Sequence, residues 1–128
     1  MNYVHSFSGV SVSNIDEVRQ FYLDTLGLEL VDETMGLKFK LPGGGELFVY
    51  EKEDHTSAGY TVLSLVVEDI EKAVEELKDK GVEFEKYDLG GGAKTDEMDI
   101  MRGKAAQMGP DIAWFKDPAG NFLAVLED

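Results

Sequence analysis

Imidazole and thiol side chains, which perform much of enzyme chemistry and bind transition metals, are scarce in this chain of 128 residues. It contains two histidines, His5 and His55, and no cysteine. The lack of cysteine excludes disulfides, thiol nucleophiles and cysteine-ligated zinc sites. The two histidines lie far apart in sequence and match no metal-binding spacing. We therefore interpret them as surface or hydrogen-bonded residues. A proton-carrying role for His5 has no partner residue in the sequence.

The glycine-rich run G-G-G-A-K-T, residues 90–95, invites comparison with a phosphate-binding loop. That motif requires a glycine directly before its lysine, whereas Ala93 precedes Lys94 here. Acidic residues follow closely and would repel phosphate. We interpret the run as a turn. No G-x-S-x-G motif is present either, so the sequence gives little support for a serine hydrolase.

The chain carries a formal net charge of -14. A surface this acidic repels the phosphate backbone, so nucleic acid is not an expected partner. Solubility is the ordinary reason for such a charge, and attraction for cationic ligands is the alternative. No apolar run is long enough to cross a membrane, and the first residues lack the pattern of a secretory signal. We expect a cytoplasmic protein with no membrane partner.

The elements that must position any site occur twice along the chain. Residues 12–15, V-S-N-I, align with residues 67–70, V-E-D-I, and each passage ends an apolar strand in a helix N-cap candidate. A helix with one apolar stripe follows each cap, and a glycine, Gly27 or Gly81, follows each helix. The stripes consist of Ile15, Val18, Tyr22 and Leu26 in the first helix and Ile70, Ala73, Val74 and Leu77 in the second.

The two halves also end alike. Residues 41–51, L-P-G-G-G-E-L-F-V-Y-E, align without a gap with residues 117–127, D-P-A-G-N-F-L-A-V-L-E. Each half therefore predicts a strand, a helix and three strands, which makes the chain α+β with two tandem βαβββ modules. Neither module could bury its sheet well alone, so we expect modules at about 1–54 and 60–128 to pair within a single domain, 1–128. Residues 88–110 break the symmetry as a long insertion.

These features together resemble the vicinal oxygen chelate superfamily, which includes glyoxalases, extradiol dioxygenases, fosfomycin-resistance enzymes and bleomycin-binding proteins. The resemblance rests on F-Y-L-D-T-L-G-L-E-L after the first helix, residues 21–30, and on W-F-K-D-P-A-G-N-F-L-A-V-L-E, residues 114–127. It implies a cup-shaped, open-barrel mixed sheet with the helices outside and a ligand or metal inside. It also implies a homodimer.

Metal-binding members of that superfamily carry ligands, usually His or Glu, at one position on the first and last strand of each module. The resemblance assigns those positions to Phe7, Phe48, Val62 and Ala124. None of these side chains offers a donor to a divalent metal, so we expect no metal and no cofactor. Glu127 lies three residues beyond Ala124, and strand alternation places it on the opposite face.

Strand alternation predicts which side chains line the cup and which face the helices. An apolar row on the third strands should face the helices: Leu37, Phe39, Leu41, Ala113 and Phe115. Trp114 and Tyr50 are the best candidates for ligand contact, because each has a polar group that needs a partner when buried. The predicted ligand-binding residues are His5, Phe7, Phe48, Tyr50, Val62, Ser64, Trp114, Phe122 and Ala124.

The sequence thus favours a metal-free protein that binds an aromatic or cationic organic molecule. One alternative is a glyoxalase-like lyase or isomerase, or a dioxygenase, that uses an atypical metal site with ligands such as His5 and Glu46, or metal-free acid-base chemistry. Another is a structural or regulatory protein that uses the cup as an interaction surface. The predicted pocket supports the first hypothesis, since small-molecule sites are mostly apolar with a few polar groups.

Overall fold

A computed structural model describes residues 1–128. The elements are β1 Ser8–Val12, α1 Ile15–Gln20, β2 Glu29–Asp32, β3 Leu37–Lys40, β4 Glu46–Glu51, β5 Thr61–Val66, α2 Ile70–Asp79, β6 Met101–Arg102, β7 Asp111–Lys116 and β8 Phe122–Glu127. Two four-stranded sheets each combine one parallel and two antiparallel strand pairs, in the orders β1-β4-β3-β2 and β5-β8-β7-β6. This confirms the predicted α+β class and the repeated βαβββ order.

The chain forms two compact units. The first contains Met1–Ser57 together with Asp117–Gly120, the turn between β7 and β8. The second contains Ala58–Lys116 and Asn121–Asp128. Neither helix has the length and apolarity that a membrane span requires.

The first helix begins as predicted and ends differently. Asn14 is its N-cap and accepts a hydrogen bond from the Asp16 N–H at 2.9 Å. After Gln20 the helix widens into a π-helical segment, Phe21–Thr25, which the sequence did not predict. Gly27 then takes a φ of 70°, the left-handed conformation expected after a helix end.

The second helix begins in the same way, and its first residues show the role of Glu127. Asp69 is the N-cap and accepts from the Lys72 N–H at 3.1 Å. Glu127, at the end of β8, accepts from the Ile70 N–H at 3.0 Å, as Glu51, at the end of β4, does from Ile15 at 3.0 Å. Hydrogen bonds from Lys104 and the Ile70 N–H hold the pKa of Glu127 below its ordinary value. The final strand of each unit thus supplies a carboxylate that caps the helix of the same unit.

The third strand of each sheet supplies the centre of each core. Leu37, Phe39, Ala113 and Phe115 are buried, which confirms four members of the predicted apolar row. The fifth, Leu41, lies beyond the end of β3 and is half-buried. The Phe39 ring lies 5.5 Å from the Tyr22 ring, and the Phe115 ring lies 5.4 Å from the Phe84 ring. Aromatic pairs at such distances add to the stability that their buried area provides.

A hydrogen-bonded network holds the turn Asp117–Gly120 in the first unit. The buried Tyr22 hydroxyl donates to Asp117 at 2.6 Å, and burial together with the Asp117 charge raises the pKa of Tyr22. His55 bridges the Ser11 hydroxyl at 2.7 Å and the Ala119 carbonyl at 3.0 Å. Because a carbonyl can only accept, His55 Nε2 carries the proton there. The interpretation of His55 as a hydrogen-bonded residue is therefore confirmed.

Candidate functional site

An open aromatic cleft lies on the second unit, with a volume of about 220 Å³. Its walls come from the chain entering β5, from β7 and β8, and from the segment that follows α2. The volume is below the roughly 300–1,000 Å³ of most small-molecule pockets, so it suits a flat ring system rather than a bulky ligand. The lining residues are Gly59, Tyr60, Thr61, Tyr87, Leu89, Trp114 and Phe122.

The strand ladders place four of the predicted site residues on one face of the second sheet. Trp114 lies opposite Ala124, which lies opposite Ser64, and residues paired in this way share a face. Phe122 is two residues before Ala124 and points to the same side. Trp114 and Phe122 line the cleft, whereas Ala124 is fully buried and Ser64 lies outside the cleft.

Tyr87 forms the wall beside Trp114. The two rings meet edge to face, with centroids 5.2 Å apart and an interplanar angle of 83°. The Glu85 N–H donates to the Trp114 carbonyl at 2.8 Å, which ties this segment to β7. Burial raises the pKa of Tyr87, and the Glu85 charge adds to this effect while Lys116 opposes it. Tyr87 is therefore a neutral hydrogen-bond donor at physiological pH.

One pair of opposite charges lies at the edge of the cleft. Lys116 Nζ is 3.4 Å from Glu85 Oε1 and 5.0 Å from the centre of the Phe122 ring. Both charged groups are partly exposed. The cleft thus combines aromatic faces, a phenol and a charge pair, groups that bind a planar aromatic molecule with polar substituents.

Tyr60, Tyr87 and Leu89 were missed by the sequence analysis. Tyr60 lies in the polar link before β5, and Leu89 lies in the insertion, where neither strand nor helix periodicity applies. For Tyr87 a signal did exist. The extended run V-E-F-E-K-Y, residues 82–87, alternates so that Tyr87 shares a side with Glu85, opposite to the core residue Phe84.

An ion-pair network stabilises residues 96–102, which follow the segment that contains Tyr87. The Asp96 carboxylate accepts from the Met98 N–H at 2.9 Å, from the Ile100 N–H at 3.0 Å and from Arg102 Nε at 2.8 Å. The Asp99 side chain is only 7% exposed and pairs with Lys86 and, at 3.2 Å, with Lys78. These contacts connect residues 96–102 to one another, to Lys78 of α2 and to Lys86.

Replacing Asp99 with asparagine is expected to make the stability less sensitive to acid. Burial disfavours the ionised carboxyl, but hydrogen bonds from Lys86 and Lys78 outweigh it and keep the pKa of Asp99 below its ordinary value. This stabilisation is present above the unfolded-state pKa of about 3.9 and is lost as the pH falls through the lower folded-state value. The melting temperature should therefore fall more steeply between about pH 5 and 2 in the wild type than in Asp99→Asn.

Thermal unfolding followed by circular dichroism across that pH range would measure the difference. Asp54→Asn, which alters an exposed pair with Lys52, is the matched control and should follow the wild type closely. Parallel curves for Asp99→Asn and the wild type would contradict the prediction.

The first unit brings together three other predicted residues, Phe7, Phe48 and Tyr50. Phe7 and Phe48 meet edge to face at 6.0 Å, and Phe48 stacks on Tyr50 at 5.7 Å. Sequence alternation had placed His5 and Phe7 on the first strand, which was wrong, because β1 begins at Ser8. Ser8 pairs with Leu47 and β4 begins at Glu46, so β4 offers almost no partner for earlier residues. His5 is exposed, and Phe7 is 52% exposed.

Val62 differs from its expected place because of an irregularity in β5. Thr61 pairs with Phe122 and Leu63 with Leu123, so Val62 is the extra residue of a bulge. Thr61, not Val62, therefore lies opposite Phe122 and lines the cleft. The alignment of the two halves matched Val62 with Phe7 because it assumed a regular strand, and a sequence alignment does not reveal a bulge.

The residues present do not fit the metal centre that the resemblance implies. Phe48 and Ala124 stand on β4 and β8, Phe7 precedes β1 and Val62 is bulged, and none has a metal-binding atom. His5 and Glu46 do line one groove of the first unit, but Lys38 and Lys40 line it too and would repel a cation. No group of three or more His, Asp or Glu side chains is arranged to hold a metal ion.

Comparison with known proteins agrees with the fold. A model of the Glyoxalase/Bleomycin resistance protein/Dioxygenase superfamily matches residues 3–125, so this chain belongs to that superfamily. A search of curated protein sequences gave no significant match.

Three solved structures have a similar fold. A glyoxalase family protein from Enterococcus faecalis is 24% identical with a TM-score of 0.68, and the match covers 98% of this chain and 97% of that one. The antibiotic binding protein TnmS3 from Streptomyces sp. CB03234 is 18% identical with a TM-score of 0.67, covering 99% and 98%. The fosfomycin resistance protein FosX from Listeria monocytogenes is 14% identical with a TM-score of 0.67, covering 100% and 95%. Identities this low show a shared fold only.

Proposed function

We propose that this protein binds a planar aromatic small molecule in the Trp114 cleft without the help of a metal ion. The observation that carries the proposal is the Trp114–Tyr87 pair, whose edge-to-face rings form one side of an open cleft that Phe122 and Tyr60 also line. Each aromatic contact contributes about 0.5–1.5 kcal/mol beyond the area it buries. Several such contacts support binding of a flat ring system.

The polar groups of the cleft determine which substituents of the ligand can be bound. The neutral Tyr87 hydroxyl can donate to a carbonyl or ring nitrogen. The Glu85–Lys116 pair can meet a substituent of either charge, while the acidic chain as a whole favours cations. The antibiotic binding protein TnmS3 has the same fold, which gives the proposal a precedent among relatives.

The alternative of a metal-dependent lyase, isomerase or dioxygenase receives no support from these residues. Such an enzyme would need at least three donor side chains around one point, with a further position open for substrate. His5 and Glu46 supply two donors beside two lysines. Binding without metal chemistry is therefore the function that the side chains favour.

A fluorescence titration tests the proposal directly. Trp114 is the only tryptophan of the chain, so its emission reports events at the cleft. Three flat tricyclic probes differ mainly in charge: proflavine as the cation, acridone as the neutral molecule and anthraquinone-2-sulfonate as the anion. We expect at least one to change the emission saturably, with a Kd in the micromolar range, about -8 kcal/mol.

Two controls make the titration decisive. Added EDTA should leave the affinity unchanged, and 0.5 M NaCl should not abolish it, because stacking is less sensitive to screening than surface charge attraction. Unsaturable emission changes with all three probes, or binding that requires a divalent metal, would contradict the proposed function.

A further inference from the structure

Part of the cleft lining belongs to a hairpin, residues 87–95, which lies beside the strand residue Trp114. Tyr87 and Leu89 line the cleft from this hairpin, whereas Trp114 and Phe122 belong to β7 and β8. Leu89 is 70% exposed even though it lines an apolar cleft. Burial of an exposed leucine side chain is favourable, because it removes apolar surface from water. A ligand in the cleft would give Leu89 an apolar surface to cover.

The tip of the 87–95 hairpin consists of three consecutive glycines. Gly90, Gly91 and Gly92 follow one another with φ values of 81°, 62° and 85°. No atom of a non-neighbouring residue lies within 4 Å of the position that a Cβ would occupy on any of them. Nothing packs against the Cβ positions of these glycines, and the hydrogen bonds of the tip, such as the one from the Leu89 N–H to the Ala93 carbonyl at 2.8 Å, lie within the hairpin. Glycine also has the widest choice of backbone conformations.

The base of the hairpin is fixed by contrast. The Thr95 N–H donates to the Tyr87 carbonyl at 2.9 Å, and the Tyr87 N–H donates to Thr95 Oγ1 at 3.1 Å. Asp96 follows directly and is held by Arg102, and Ile100 is fully buried. The tip can therefore move relative to the base, while Tyr87 stays beside Trp114.

We propose that the tip of the 87–95 hairpin is a lid that closes over the cleft and brings Leu89 onto the face of the bound molecule. This inference rests on the proposed function, because it requires an aromatic ligand in the cleft. Leu89 then controls the dissociation rate of the ligand, whereas Trp114 and Tyr87 determine its position. The lid also enlarges the contact area that an open cleft of about 220 Å³ can offer.

The test compares Leu89→Ser with Met108→Ser, using whichever of proflavine, acridone and anthraquinone-2-sulfonate binds the wild type. Met108 is 71% exposed in a turn that does not line the cleft, so it matches Leu89 in exposure. In stopped-flow experiments Leu89→Ser should raise the dissociation rate about tenfold with little change in the association rate. Met108→Ser should leave both rates unchanged.

Hydrogen exchange supplies a second readout on the wild type. Saturation with the probe should slow the exchange of amides 89–94, whereas the amide of Ile100 should not change. Binding to the wild type with the same dissociation rate in Leu89→Ser, or with unchanged exchange at the tip, would overturn the lid and leave the proposed function intact. Failure of all three probes to bind the wild type would overturn both.

Discussion

Replacing Trp114 with leucine is expected to weaken binding of the best probe at least about tenfold, which corresponds to about 1.4 kcal/mol. Leucine keeps an apolar side chain above the buried Ala124 but removes the indole face. The edge-to-face contact with Tyr87 is also lost, so the wall becomes less well ordered. The ligand then loses both a stacking surface and the positioning of its second aromatic contact.

The Trp114→Leu variant has no tryptophan, so isothermal titration calorimetry replaces fluorescence. Tyr3→Leu is the matched control, since Tyr3 is an aromatic residue that is 84% exposed and does not line the cleft. We expect Tyr3→Leu to bind like the wild type, and the melting temperatures of both variants should show that they are folded. Equal affinity in Trp114→Leu and Tyr3→Leu would place the binding site elsewhere.

Replacing Phe115 with alanine is expected to lower the free energy of unfolding by about 3–5 kcal/mol. Phe115 is fully buried in β7, contacts the Phe84 ring and lies opposite Leu123 of β8. Alanine leaves a cavity there that the two antiparallel strands cannot close without breaking their ladder. Since a domain of this size is stable by only about 5–15 kcal/mol, the change removes a large share of the total.

Urea unfolding followed by circular dichroism measures this loss as a shift of the midpoint at an unchanged slope. Tyr3→Ala serves as the control, because removal of an exposed ring should change the stability by less than about 0.5 kcal/mol. A loss below about 1 kcal/mol for Phe115→Ala would mean that the second core is not packed as described.

Local and periodic signals made much of the fold predictable. Asn14 and Asp69 were recognisable as helix caps, because a cap depends on residues within one turn. The aligned halves predicted the order of strands, and alternation along β7 separated Phe115, in the core, from Trp114, at the cleft. Trp114 and Phe122 were therefore predicted site residues that the structure does bring together.

The remaining differences arise from contacts between residues distant in sequence. The start of β1 depends on where β4 begins, which the residues before Ser8 do not encode. The bulge at Val62 depends on the register with β8. The cleft wall formed by Leu89 lies in an insertion without periodicity, and the chain that follows the hairpin is anchored by the Asp96–Arg102 and Asp99–Lys78 pairs.

The membership of Asp117–Gly120 in the first unit limits how the chain can be dissected. A truncated fragment ending at Ser57 would contain Tyr22 and His55 without Asp117 and the Ala119 carbonyl that receive their protons in hydrogen bonds. A fully buried donor such as the Tyr22 hydroxyl costs about 1–3 kcal/mol when it is left unpaired. Although the sequence has two similar halves, an isolated N-terminal half should therefore fold poorly. It should fold better when the missing turn is restored, for example by grafting it onto the fragment.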